Sequence, residues 1–144
     1  MDLLIVTGLS GAGKSLAMNA LEDIGFFCMD NIPADLLAKL MEFSRQGENR
    51  LEKVAVVIDI RSVKSSQEFL NALAQLDNGG VRYKLLYLEA SNEALERRYK
   101  ETRRRHPISI ASQVSNSESI ERERQILAPL YARADYKIDT SLLS

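Results

Sequence analysis

Two rhythms of apolar and polar residues alternate along the chain. Short β-rich runs at 3–7, 26–30, 54–60, 85–89 and 136–139 are nearly continuous in apolar character, as strands covered on both faces are. Longer amphipathic stretches at 14–23, 34–45, 66–76, 92–104 and 119–132 predict helices between them. Strand and helix in strict turn is the signature of βαβ units around a parallel sheet, so the expected class is α/β with helices on both faces. The punctuation agrees. Pro33 suits a first helical position, Gly25 follows the first helix, and Asp77-Asn78-Gly79-Gly80 stops the third.

The 144 residues fit one domain, and 45% hydrophobic content fills its core without metals or disulfides. A single cysteine, Cys28, excludes an intrachain disulfide and reads as a small buried hydrophobe. Nineteen basic against twenty acidic residues give a net charge of −1, so bulk charge points to neither nucleic acid nor an anionic membrane. No run approaches the length of a spanning helix, and the start lacks the basic and apolar regions of a signal peptide. The expectation is a cytoplasmic protein with no membrane partner; self-association is left open.

Gly8-Leu9-Ser10-Gly11-Ala12-Gly13-Lys14-Ser15 fits G-x-x-x-x-G-K-[ST] and sits between the first strand and the first helix. The glycines let backbone N–H groups converge on phosphate oxygens, and the helix adds its positive end. Lys14 is expected on the β- and γ-phosphates and Ser15 on Mg²⁺, which implies a P-loop NTPase fold binding a nucleoside triphosphate. The run before Asp59 would deliver its carboxylate to the same edge as a second metal-site group, with Arg61 and Ser62 beside the nucleotide. Bringing Asp59 near Ser15 with right-handed crossovers selects strand order 2-3-1-4-5.

Weaker signals carry two readings each. Asp30-Asn31-Ile32-Pro33 would hold a second substrate or the attacking water, or else form an Asx-type turn before a helix. Residues 96–106 hold six Lys or Arg against two Glu. Half of these, Arg97, Lys100 and Arg105, have i,i+4 Glu partners, as on a solvated helix face, but Arg98, Arg103 and Arg104 do not, and they are the candidates for an anion-binding lid extending through residue 117. His106, beside Pro107, reads as a loop residue. One Cys and one His build no metal cluster. No aromatic platform for bases is evident, so RNA binding by this chain alone is not expected.

Several segments together resemble the RapZ/YvcJ family of P-loop nucleotide-binding proteins, which includes the RNase adapter protein. They are the glycine-rich loop, Ala20-Leu21-Glu22-Asp23-Ile24-Gly25-Phe26, Asp30-Asn31-Ile32-Pro33, Val57-Ile58-Asp59-Ile60-Arg61, Thr102-Arg103-Arg104-Arg105-His106-Pro107, Glu121-Arg122-Glu123 and Ile138-Asp139-Thr140-Ser141. The resemblance implies an N-terminal domain of a longer two-domain protein, with weak ATP and GTP hydrolysis and nucleotide contacts at 8–15 and 59–62. For the full protein it implies small regulatory RNA and an endoribonuclease as partners, linking amino-sugar metabolism to RNA decay. Two rivals stand beside this. One is a small-molecule or nucleotide kinase using the same loop and an Arg-rich lid. The other is a nucleotide-gated adapter without useful turnover. No Asn-Lys-x-Asp guanine motif occurs, so a dedicated GTPase of the Ras type is not expected, and the choice between ATP and GTP is left open.

Overall fold

The computed structural model describes residues 2–30, 32–37, 39–40, 52–102 and 116–142. Five strands form one parallel sheet: β1 (Asp2–Gly8), β2 (Phe27–Met29), β3 (Lys53–Val57), β4 (Tyr83–Glu89) and β5 (Tyr136–Asp139). Their spatial order is 2-3-1-4-5, as expected, with β1 central between β3 and β4. Among the described residues the connecting helices are α1 (Lys14–Asp23), α2 (Val63–Asn78), α3 (Asn92–Thr102) and α4 (Asn116–Arg133), and a 3-10 turn spans Ala34–Leu36. Only the beginning of the helix expected at 34–45 falls among the described residues, where 37, 39 and 40 continue the 3-10 turn as helix.

Register divides the side chains between two faces. Leu3, Ile5, Val54, Val56 and Leu85 point one way and are all essentially inaccessible. Against that face, α2 and α4 bring Phe69, Leu73, Leu76, Ile120, Leu127 and Leu130, and the Ser66 hydroxyl donates to the Ile126 carbonyl to tie the two helices together. Each such fully buried aliphatic or aromatic side chain contributes roughly 1.5–3 kcal/mol. Val6, Ala55, Val57, Leu86 and Leu88 point the other way, toward α1. Unlike α2 and α4, α1 has no fully buried residue. On this face the half-buried Cys28 thiol donates to the Met18 carbonyl (3.5 Å). Burial, reinforced by the Glu22 carboxylate, pushes that thiol up from its ordinary pKa.

Strand β3 ends at Val57, three residues earlier than the apolar run suggests. The Ile58 amide still donates to the Val6 carbonyl (3.0 Å). Its own carbonyl accepts from the buried side-chain hydroxyl of Thr7 in β1 at 2.9 Å rather than from a main-chain amide of that strand, and the backbone leaves the ladder there. Ile58 and Ile60 remain core residues, which is why the sequence pattern carries on through them. At the far end of the sheet, Asp135 exchanges bonds with Leu85, its carboxylate accepting from the Leu85 amide (2.8 Å) and its amide donating back (2.9 Å). This pair fixes where β5 begins. No helix among the described residues is long and apolar enough to cross a membrane.

Phe69→Ala should cost about 3–5 kcal/mol in urea denaturation, because it empties a fully enclosed site between α2 and the sheet. Val63→Ala, at an exposed position on the same helix, should stay within about 0.5 kcal/mol. Equal losses at the two positions would contradict the packing described.

Candidate functional site

The glycine-rich loop leaves β1 at Gly8, where φ is 149° and a Cβ would lie 2.2 Å from the Leu88 carbonyl oxygen. Only glycine fits this approach, and the next amide, Leu9, donates to that same carbonyl (3.1 Å). Leu9 and Ala12 are buried and joined by a turn, Ala12 N–H to Leu9 C=O at 3.0 Å. Gly11 (φ 84°) and Gly13 (φ 100°) take left-handed conformations, and Gly13 caps α1 without a side chain. The first amides of α1 therefore have no side-chain cap, which leaves a backbone donor set of the kind that receives an anion.

Lys14 folds back over the loop. Its ammonium donates to the carbonyls of Gly8 (2.9 Å) and Leu9 (3.3 Å) and pairs with the Asp59 carboxylate at 3.2 Å. Asp59 thus meets the loop as expected, although it stands two residues beyond the end of β3, in the bend begun by the Thr7 hydroxyl. Ser15 is exposed on the first turn of α1. Ile60 is buried, so only its main chain is available to a ligand. Arg61 is exposed. Ser62 caps α2 in a capping box, accepting from the Ser65 amide (3.0 Å) while the Ser65 hydroxyl accepts from the Ser62 amide (3.1 Å). Asp30 is exposed just beyond β2 on the same edge of the sheet. Asn31, Arg103 and Arg104, with His106 and most of the expected lid, lie outside the described residues.

Among the described residues, Arg98, Thr140 and Glu123 hold the loop from its outer side. Arg98, on α3, donates to the Gly11 carbonyl (2.9 Å) and to both the hydroxyl (3.1 Å) and the carbonyl of Thr140. Thr140, buried just past β5, donates its hydroxyl to the Ala12 carbonyl (2.7 Å). Glu123, on α4, is 1% exposed and accepts from both the amide (2.9 Å) and the hydroxyl (2.7 Å) of Ser10. A carboxylate so enclosed is tolerable only with such charge-assisted partners. Burial pushes the neighbouring Tyr87 phenol above its usual range, and the Glu123 charge acts in the same direction. Arg98, first considered as a lid contact, thus supports the loop itself.

Glu123 and Thr140 are the members that sequence reasoning did not single out for the site. A signal for Glu123 was present: it follows Ile120 by three residues and precedes Leu127 by four, so it stands on the buried stripe of α4 rather than on its charged face.

Solved structures with the same architecture include shikimate kinase from Bacteroides thetaiotaomicron, with TM-score 0.59 and 17% identity over 97% of this chain and 87% of that one. The tunicamycin resistance protein of Deinococcus radiodurans aligns with TM-score 0.60 and 11% identity over 100% of this chain and 88% of that one. At such identities the likeness concerns the fold alone, which is that of the P-loop NTPases. Sequence relatives are far closer. A nucleotide-binding protein of Heliobacterium modesticaldum is 51% identical over 144 residues, covering all of this chain and 47% of that protein. One from Carboxydothermus hydrogenoformans is 49% identical over 142 residues, covering 98% and 48% respectively. The chain spans about half the length of these relatives. Residues 1–144 match the RapZ-like N-terminal domain from end to end, and the chain belongs to that family.

Proposed function

We propose that this domain binds a nucleoside triphosphate, ATP or GTP, with Mg²⁺ at residues 8–15 and hydrolyses it slowly. One observation carries the reading: the Lys14 ammonium lies across the mouth of a loop whose outer side is tied down, within 3.2 Å of Asp59. Arriving phosphates exchange the Gly8 and Leu9 carbonyls for oxygens that bear full charge, which strengthens every contact Lys14 makes. The amides at the start of α1 bind the same oxygens with no reorganisation of the backbone.

Ser15 and Asp59 are hard oxygen donors and fit Mg²⁺, which takes one or two protein ligands and completes its shell with phosphate and water. Among the described residues no group of three or more His, Cys, Asp or Glu forms a ready-made metal cage, so the fit is to an ion that comes with the triphosphate. When bound, Mg²⁺ neutralises charge on the β- and γ-oxygens. Asp59 holds Lys14 in place before the nucleotide arrives. Of the neighbouring stretch, the exposed Arg61 side chain and the Ile60 main chain are the groups we assign to the nucleotide edge, since Ser62 is engaged in capping.

A second reading, phosphoryl transfer to a bound acceptor, is favoured by Asp30 on the same sheet edge and by the kinases that share the fold. In the longer relatives, the RNase-adapter role with small RNA and an endoribonuclease as cytoplasmic partners belongs, in our reading, to the whole protein. A net charge of −1 gives this half little purchase on RNA by itself. Titration with ATP and GTP analogues in Mg²⁺, followed by a phosphate-release assay, tests the main reading. Phosphorylated product from a metabolite screen without release of phosphate to water would replace it with the kinase.

Lys14→Ala should weaken triphosphate binding at least about tenfold, the scale of a lost charge-assisted bond, and abolish turnover. Wild-type hydrolysis in that variant would refute the site. Asp59→Asn should reduce Mg²⁺-dependent turnover more than it reduces nucleotide affinity. An equal fall in both, by calorimetry and phosphate release, would remove Asp59 from the metal-linked role.

A further inference from the structure

The two faces of the sheet are unequally covered. The step from β1 to β2 runs toward one edge of the sheet, whereas the later steps run toward the other. Right-handed crossovers therefore put α1 on one face and α2 and α4 on the opposite face. Among the described residues α1 is the one helix on its side. The row formed by its Leu16 and Ala20 with the C-cap Ile24, spaced i, i+4, i+8, is exposed, with Leu16 at 58% and Ile24 at 63%.

The sheet is open on the same side. Tyr136 and Ile138 pair in register with Leu86 and Leu88, so they share the α1 face, yet they are 53% and 46% exposed. Strands of a parallel sheet are ordinarily buried on both faces, and β5 is exposed throughout. An apolar trough thus runs between α1 and the β5 edge.

Just past β5 the backbone begins a turn with helix-start chemistry. The Asp139 carboxylate accepts from the amide (2.9 Å) and hydroxyl of Ser141, as an N-cap residue accepts from the second helical amide. Those bonds hold the Asp139 carboxyl below its usual pKa. The Ser141 hydroxyl accepts from the Ser91 amide (2.7 Å), which anchors the turn, and Leu142 beyond it is fully exposed.

We propose that the trough lined by Tyr136, Ile138 and Leu86 of the sheet and by Leu16 and Ala20 of α1 with its C-cap Ile24 seats an amphipathic helix. That helix is supplied by the polypeptide that follows residue 144 in the longer members of the family. Relatives in which this domain makes up about half the length have that polypeptide, and the family places the domain at the N-terminal side. A segment tethered at the rim of the trough acts at an effective concentration near millimolar, which favours it over a second copy of the chain. The helix runs back along β5. To span the seven residues of the adjacent β4 it needs about 15 residues, at roughly 3.3 Å per strand residue and 1.5 Å per helical residue. Its C-terminal end then falls beside Lys84, exposed on the same face at the start of β4, where a cation suits the helix dipole.

The test uses this chain extended by the residues that follow the matched region in the Heliobacterium relative, with amide hydrogen exchange read separately for the extension and for β1. The extension should be protected at least about a hundredfold over random coil, and Tyr136→Asp with Ile138→Asp should remove about tenfold or more of that protection while β1 keeps its own. If the double substitution also deprotects β1, Leu16→Lys on the α1 side decides by the same readout. Random-coil exchange in the extension, or protection indifferent to these substitutions, overturns the proposal. Protection that appears only where sedimentation finds a dimer overturns it in favour of a second copy.

Discussion

Gly8 approaches the β4 backbone so closely that the whole site depends on the absence of a side chain there. The contact fixes where the loop leaves the sheet. It places the Gly8 and Leu9 carbonyls beneath Lys14 and brings the start of α1 to the carboxyl edge, within reach of Asp59. Any side chain at this position would push β1 and β4 apart at the top of the sheet. Site geometry and sheet pairing are here one constraint.

The second layer of support is electrostatic and comes from chain positions far apart. Arg98 holds a loop carbonyl from α3, Thr140 holds the next from beyond β5, and Glu123 takes the Ser10 amide from α4. Each satisfies a backbone or hydroxyl group facing away from the ligand side. The unfavourable entropy of ordering a glycine-rich loop is met in the unliganded fold, so little remains to be lost on binding.

Much of this was legible in the sequence. Strand order followed from crossover handedness and from the need to bring Asp59 near Ser15, and β1-β3 adjacency bears that out. The end of β3 was misread because Ile58 and Ile60 are apolar for burial in a bend, and periodicity does not distinguish a strand from a buried turn. Ser62 was read toward the nucleotide, yet Ser-x-x-Ser before a helix is also a capping signal, and that is where its hydroxyl is engaged. Glu123 was hidden within alternating charges at 121–124, three of which do sit toward solvent to varying degrees. Its role needs tertiary knowledge of which stripe of α4 meets the loop.

Thr140 has a consequence in mechanical terms. Its amide forms the last rung between β5 and β4, donating to the Glu89 carbonyl at 2.8 Å, while its hydroxyl donates to Ala12 and accepts from Arg98. One residue is thus rivet to both the sheet edge and the phosphate loop. A load applied along β5 reaches Ala12 through a single oxygen atom with no compliant segment between. Conversely, a loop that shifts by a fraction of an ångström must tug on the same rivet, and the stiffness of that joint sets how faithfully either end registers the other.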